Sequence, residues 1–428
     1  MKIGIVTQYY PPNILGGSHI SIFNIAKGLS INGHQVEIFT SEIMMNKHEE
    51  KKYQLKNVKI NRLFSKEYSN GILQTLSKQK EMITKLRLFL AKEKKQFDIL
   101  YSYGMDTIPA VVECKQFSKK TAASVNGSWV SSPYYHVNYK GEETLNCSGC
   151  YFWKDTFMRI FHKNPPGSGG NKWMKILLSP AIRISFKKRQ KYIKQIDVIL
   201  PVSHKLKEIV ANCGVPKNKI FVCHALFENQ EKVDWDIYKQ LNIPRNKKIM
   251  LYAGRFLSIK GCKEILESIP GVIAKHKDAH FVFLGAGKEG EEAFNKVIKL
   301  GLEKHVTFTK DFVNSQILSQ AFKQSFLSLY PVLCFDALPR TPTESFIEGT
   351  PVIATTMGGL QELILDKQTG LIVRPGNYSD ISKAINLAIK DKKLYDKMSK
   401  GAIEFSKKMF IEKGIKKYIS TFEWALKN

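Results

Sequence analysis

The run CFDALPRTPTESFIEGTPVIATTMGG, residues 334–359, sets two carboxylates eight positions apart, Asp336 and Glu344. Asp336 falls in a loop that also holds Pro339 and Pro342, and Glu344 falls at the start of a short helical stretch before the strand PVIAT. An ionised carboxylate only accepts hydrogen bonds, and one placed on a turn can take two hydroxyls at once. Sugars and riboses present vicinal hydroxyls, so the pattern points to chemistry on a sugar. Taken singly, each residue also has a plain reading, Asp336 as a helix cap and Glu344 as a solvated helix carboxylate.

Two other sets of residues suit an anionic group. In AGRFLSIKG, Arg255 and Lys260 lie five apart just after an apolar strand. Cations at the carboxyl end of a parallel strand face the ligand crevice, where they can hold a diphosphate and offset its charge as it leaves. An exposed basic loop is the alternative in a chain this basic. Gly16 and Gly17 follow the first strand and precede a helix, so the backbone there can approach a ligand and the helix N-terminus offers N–H groups to a phosphate. The loop reads PPNILGGS, which is not the G-x-G-x-x-G of a dinucleotide site, and a simple turn into a helix explains the pair equally well.

These residues need a scaffold, and the chain is long enough for about two domains at 428 residues. In the first half the strands KIGIVTQYY, QVEIFT, FDILYSYG, TAASVNG, DVILPVS and KIFVCHA alternate with helical stretches such as HISIFNIAKGLSING. In the second half KKIMLYAGR, HFVFLGAG, HVTFTKD, SFLSLYPV, PVIATT and GLIVRP repeat the scheme. Strands alternating with helices predict an α/β fold with doubly wound parallel sheets, duplicated in fold although not in sequence. The expected organisation is a first domain over 1–230, a polar linker over 231–246, a second domain over 247–410, and a last helix over 411–428 that returns to the first domain. Residues 130–180, rich in aromatics, Gly and Pro, read as loops beside the first sheet.

Composition limits the partners. An apolar content of 43% suits a globular chain, and 66 Lys+Arg against 38 Asp+Glu give a net charge of +28 that favours an anionic partner. No nucleic-acid motif accompanies that charge, so no specific nucleic acid is expected. The opening apolar stretch is too short for a signal peptide, no window reaches the roughly 18 apolar residues of a membrane span, and a cytoplasmic location is expected. The seven scattered cysteines suit reduced thiols, and Cys147-Ser148-Gly149-Cys150 lacks the second pair that a structural zinc site needs. The segment KWMKILLSPAIRISFKKRQKYIKQI mixes Trp173, Phe186 and Tyr192 with Lys175, Arg183, Lys187, Lys188, Arg189, Lys191 and Lys194. It reads either as a basic amphipathic helix on anionic lipid or as an ordinary domain helix with a basic outer face.

The order strand–GG–helix, then GRFLSIKG, then D-x7-E with GTPVIAT and Gly358-Gly359 resembles the family-4 retaining glycosyltransferases over nearly the full length. The resemblance implies the GT-B fold, with two Rossmann-like domains facing across a cleft. It implies that Arg255 and Lys260 hold the donor diphosphate, that Glu344 holds the ribose hydroxyls, and that Asp336 contacts the transferred sugar. It places Gly16 and Gly17 near the donor phosphate or the acceptor, and Phe312 near the base. The co-substrate it implies is a UDP- or GDP-linked sugar with no further cofactor and no metal, since the two cations do the work a metal does in other classes. The one D-x-D, Asp234-Trp235-Asp236, lies in the expected linker and reads as surface charge. The implied acceptor is a glycan or lipid-linked glycan of cell-surface polysaccharide or glycolipid synthesis, at the inner face of the membrane.

The chain departs from the family pattern at three points. Asp336 is one methylene shorter than the usual glutamate. Pro339, in DALP where EPFG is usual, has no N–H to donate. Asn126 stands after the strand TAASV where many members carry a histidine near the anomeric centre, and an asparagine hydrogen-bonds a hydroxyl without taking up a proton. A glycosyltransferase-like subunit that holds a nucleotide-sugar or a partner with little or no turnover is the alternative that Asn126 leaves open.

Overall fold

The computed structural model describes residues 1–14, 16–42, 47–65, 72–130, 172–287, 289–309, 311 and 313–428. These fall in two compact units, one combining the chain up to Phe227 with Met409–Asn428, the other running from Glu228 to Lys408. In the first unit, β1 (Lys2–Thr7), β2 (Gln35–Ser41), β3 (Val58–Phe64), β4 (Phe97–Tyr103), β5 (Ser118–Val125) and β6 (Val198–Pro201) form a parallel sheet in the order β3-β2-β1-β4-β5-β6. In the second, β7 (Lys248–Ala253), β8 (Ala279–Leu284), β9 (Val306–Phe308), β10 (Leu327–Tyr330), β11 (Val352–Thr355) and β12 (Gly370–Val373) form a parallel sheet in the order β12-β11-β10-β7-β8-β9. Counted within each unit, the two orders are the same doubly wound topology. The winding reverses between β1 and β4 in the first sheet and between β7 and β10 in the second, and ligands of such sheets bind at the carboxyl ends of the strands at that reversal.

The central strands are apolar without alternation because helices cover both faces of each sheet. All six residues of β8 are buried. One face of the second sheet packs Ile265, Leu266, Ile269, Ile381 and Ile385 from the helices Cys262–Ile273 and Tyr378–Lys390. The other face packs Ile237, Ile243 and Phe322, with Trp235 and Tyr238 against them. Much of the stretch 231–246 is thus packed on this unit instead of running free as a polar tether. Within it, Asp236 of the D-x-D caps the helix Ile237–Gln240 by accepting from the Tyr238 N–H at 2.9 Å, and it pairs with Arg245.

Two strand assignments differ from the sequence reading. KIFVCHA, residues 219–225, forms one isolated bridge, Ile199 to Ile220, and lies along β6, where the Phe221 and Cys223 N–H groups donate to the Ile199 and Pro201 carbonyls at 2.9 and 3.0 Å. The Tyr418 hydroxyl donates to the Cys223 and His224 carbonyls at 3.2 and 3.0 Å, and Asn24 Nδ2 donates to the Leu226 carbonyl at 2.8 Å. The edge strand β3 escapes the sequence reading because VKINRLF has no regular apolar period. The segment KWMKILLSPAIRISFKKRQKYIKQI, read as a helix, is the helix Lys172–Lys194, so the loop reading of 130–180 fails for residues 172–180. Cys213 is disulfide-bonded, which departs from the expected fully reduced set, while Cys114, Cys223, Cys262 and Cys334 are free and buried.

The helix Ile411–Lys427 completes the core of the first unit. Its Ile411, Ile415, Tyr418 and Phe422 pack with Ile22, Ile25 and Leu29 of the helix Gly17–Ile31. The approach is close at Gly28, where a Cβ would stand 2.8 Å from Ile415 Cγ1. Gly28→Ala should lower stability by about 1–2 kcal/mol, because overpacking exceeds the roughly 0.5–1 kcal/mol that alanine gains within a helix. Ile415→Ala should cost about 2–5 kcal/mol, and in that background Gly28→Ala should become neutral or stabilising. Urea unfolding of the four proteins checks this, and strictly additive effects would disprove the packing argument.

Candidate active site

The reversal point of the second sheet assembles the cation and the first carboxylate singled out by sequence. Lys260 lies beyond β7 and Asp336 beyond β10, the two strands that flank the reversal. Lys260 Nζ donates to Asp336 Oδ2 at 2.8 Å, with side-chain exposures of 18% and 20%. Tyr330, the last residue of β10, donates from its hydroxyl to the same Oδ2 at 2.9 Å, and its oxygen lies 3.4 Å from Lys260 Nζ. Burial works against the charge on Lys260, but the neighbouring oxygens of Tyr330 and Asp336 outweigh it and raise its pKa, so the lysine stays an ammonium. Burial, then the Asp336 charge, also raises the Tyr330 phenol, which therefore stays a donor.

Backbone packing holds these side chains together. Gly261 has φ +81°, and a Cβ there would lie 2.1 Å from the Pro331 carbonyl oxygen. That approach seats the start of the helix Cys262–Ile273 on the loop after β10, and the Leu333 N–H bonds the Ile259 carbonyl at 2.9 Å. Gly358 has φ +64°, and its Cβ would lie 2.2 Å from the Asp336 carbonyl oxygen. The next N–H, of Gly359, donates to that same carbonyl at 2.8 Å. The KG and GG dipeptides of the sequence are therefore the contacts by which three loops close on Asp336.

Glu344 does not begin a helix, as the sequence suggested. It is the fifth residue of Arg340–Ile347, whose cap residue is Pro339, and Asp336 lies ahead of that helix without capping it. Arg340 Nε donates to Glu344 Oε1 at 3.1 Å across one helical turn, with side-chain exposures of 14% and 24%. A cation in the first turn faces the positive end of the helix dipole, an arrangement that local stability disfavours. Arg255 directs its side chain to solvent, while its carbonyl accepts from the Tyr252 hydroxyl at 2.7 Å. Lys260 and Asp336 are thus in contact, Glu344 follows on the next helix, and Arg255 stands apart on the surface.

In the first unit, Gly16 caps the helix Gly17–Ile31 in an extended conformation, both glycines are exposed, and a Cβ at Gly16 would meet nothing within 4 Å. His19, in the first turn of that helix, packs edge-on against Tyr9 at 5.0 Å, and burial lowers its pKa to about 4, so the ring is neutral near pH 7. Asn126 is half-buried in the coil at the carboxyl end of β5. Phe312, Cys147 and Cys150 lie outside the described residues. A groove of about 500 Å³ lined by Lys2, Glu37, Lys59 and Lys95 lies at the amino ends of β1–β3, the wrong end of the sheet for the reversal crevice. Sequence reasoning missed Tyr330 and Arg340. Only Arg340 carried a signal, its four-residue spacing from Glu344.

Two family models cover most of the chain. "Glycosyltransferase Family 4" matches residues 15–225 and "Glycosyl transferases group 1" matches residues 233–405. The chain belongs to this family of glycosyltransferases, and its two doubly wound sheets are those of the GT-B class. It is similar to an uncharacterized glycosyltransferase of Methanocaldococcus jannaschii, 22% identical over 91% of this chain and 90% of the relative. Among solved structures, it shares the fold of sucrose-phosphate synthase from Thermosynechococcus elongatus, with a TM-score of 0.70 at 17% identity over 99% and 98% of the two chains. It also shares that of Anabaena HepE in complex with UDP and glucose, with a TM-score of 0.66 at 15% identity over 98% and 99%.

The contact between Gly358 and Asp336 tests how the site is held. Gly358→Ala places a methyl into a backbone oxygen at a left-handed φ and should destabilise the protein by about 2–4 kcal/mol. Thermal or urea unfolding reads the loss, and wild-type stability in Gly358→Ala would show that the loop does not depend on this approach.

Proposed function

We propose that the protein is a metal-independent retaining hexosyltransferase. It moves a sugar from a UDP- or GDP-linked donor to a glycan or lipid-linked acceptor in cell-surface polysaccharide or glycolipid synthesis. The observation that carries this reading is the Lys260–Asp336–Tyr330 cluster at the reversal point of the second sheet. A protonated lysine there suits the donor diphosphate, and a carboxylate beside it suits sugar hydroxyls. Arg255 adds a second cation from the end of β7, and Glu344, oriented by Arg340, takes the ribose. The HepE structure with UDP and glucose supports a nucleotide-sugar as the ligand of this fold.

In this reading the bond from the anomeric carbon to the diphosphate oxygen breaks as the acceptor oxygen bonds the same face of that carbon. The acceptor proton passes to the departing phosphate oxygen, and Lys260 and Arg255 stabilise the charge that builds there. Gly16 and Gly17 leave room for a ligand to approach the backbone, and Asn126 offers a hydrogen bond to a sugar hydroxyl.

Thermal shift against a panel of nucleotide-sugars identifies the donor, because a ligand at about 100 times its Kd stabilises the fold by about 2.7 kcal/mol. Product release from that donor should persist in EDTA. It should fall by roughly 100-fold or more in Lys260→Ala, and donor binding should weaken by about tenfold or more in Glu344→Ala. Binding without turnover would favour the subunit reading that Asn126 raises, and no binding by any donor would refute both.

We also place the protein in the cytoplasm, at the inner membrane face. Among the described residues no helix is long and apolar enough to cross a membrane. The helix Lys172–Lys194 exposes Lys187, Lys188, Lys191 and Lys194, together with Ile184 at 69%. Such a face suits anionic headgroups. The protein should sediment with phosphatidylserine or cardiolipin vesicles at low salt and release at high salt, and indifference to anionic vesicles at low salt would exclude the surface role.

A further inference from the structure

The two donors that meet on Asp336 differ in what else they can do. Lys260 follows β7, and Tyr330 ends β10. Both reach the same carboxylate oxygen, Oδ2, at 2.8 and 2.9 Å. A lysine ammonium carries three donors, so Lys260 can serve a neighbouring anion as well as Asp336, whereas a tyrosine carries a single O–H. Tyr330 gives that single donor to Asp336, and its oxygen lies 3.4 Å from Lys260 Nζ. The ammonium also lies over the Tyr330 ring, 5.6 Å from its centre, where the face of the ring attracts a cation.

The phenol is fixed more firmly than the carboxylate it serves. Tyr330 is 6% exposed, and its strand is flanked by β7 and β11, with Tyr330 opposite Ala354. The chain beyond it is anchored as well: Thr355 Oγ1 donates to the Val332 carbonyl at 2.7 Å, and Val332, Cys334 and Phe335 are buried. An aspartate has no such restraint of its own, because the torsion that turns its carboxylate has broad minima. The plane of the Asp336 carboxylate is therefore set by its donors. Two donors on Oδ2, from two strands, keep the group from turning unless a bond is broken. With Lys260 as the single donor, the carboxylate would loosen whenever the ammonium turned to a diphosphate. Tyr330 has no second acceptor to serve and keeps its hold.

We propose that Tyr330 is a positioning residue for sugar selection. Its hydroxyl holds the Asp336 carboxylate in one orientation while Lys260 serves the diphosphate, and that orientation decides which epimer of the donor sugar is transferred. The inference rests on the transferase reading above for the contact between Asp336 and the sugar. Epimers differ in the direction of one hydroxyl, and a carboxylate fixed in one plane accepts from a restricted set of directions. A hydroxyl that points elsewhere leaves a polar group without its bond, the mismatch that a polar site rejects most strongly. A phenol fits this task because it donates without adding charge. Burial keeps it protonated, and Lys260 remains the cation of the cluster.

The test compares the full-length wild type, Tyr330→Phe, Asp336→Asn and the double variant on a panel of UDP- and GDP-hexoses. Tyr330→Phe keeps the ring and removes the donor. It should lower the ratio of kcat/KM for the preferred sugar over its epimers by roughly tenfold, while the Kd of UDP or GDP stays within about twofold. In the Asp336→Asn background the same change should leave that ratio nearly unaltered, because residues that act as a unit are not additive. A merely structural role would weaken nucleotide binding and every sugar alike. A crystal structure of the wild type with its donor should keep the bond from Tyr330 to Asp336 Oδ2 and place a sugar hydroxyl within hydrogen-bond distance of Asp336, a readout that needs no variant to fold. An unchanged ratio in Tyr330→Phe, an equal fall in the Asp336→Asn background, or a donor complex in which Tyr330 has left Asp336 would overturn the role. A wild type that binds no nucleotide-sugar would refute the transferase reading and the role with it, whereas turnover with undiminished selectivity in Tyr330→Phe would refute the role alone.

Discussion

The second unit carries at its reversal point an ion pair that forms where glycines let its loops touch. Lys260 and Asp336 are separated by three of the unit's strands in sequence, yet lie 2.8 Å apart. Ion pairs at partly exposed positions contribute little by themselves, so this one does not build the fold. The order of causes runs the other way. Parallel strands β7, β10 and β11 end on one side of the sheet, their loops meet there, and Gly261 and Gly358 allow backbone to lie against backbone without a side chain between. The pair then forms because both residues have been delivered to one place, and Tyr330 completes it from the strand end.

The same rule acts in the first sheet with different residues. There the crevice between β1 and β4 gathers Gln8, Tyr9 and Asp106, with Lys78 reaching in from a helix. A duplicated topology therefore yields two reversal points among the described strands, one lined by residues the sequence advertises and one lined by residues it does not. The advertised set is dense in charge. The other combines a carboxylate with one buried oxygen and the Gln8 amide that bonds its second oxygen.

Much of the architecture was legible because it follows from local pattern. Among the described residues, eleven of the twelve strands coincide with apolar runs, since strands covered on both faces are mostly apolar. β3 was not legible, because an edge strand tolerates Lys59, Asn61 and Arg62 in its length. KIFVCHA carried a strand pattern and pairs only in part: its Phe221 and Cys223 N–H groups bond β6, while the Tyr418 hydroxyl bonds the Cys223 and His224 carbonyls. Asp336 and Glu344 were found by spacing, but their surroundings were not. The donors to Asp336 come from residues 330 and 260, and no pattern along the chain relates those positions.

The sequence by itself determined the residue types available for chemistry, the alternation that makes two parallel sheets, and the family to which the chain belongs. These are local or periodic properties, and local energies are sufficient to produce them. Only the tertiary structure decided which of those residues meet. It joined Lys260 to Asp336 and left Arg255 in solvent. It turned Glu344 toward Arg340, and it buried one oxygen of Asp106 without a partner. Each of these outcomes depends on strand order and on where loops from distant strands end, and the sequence states neither in any single stretch.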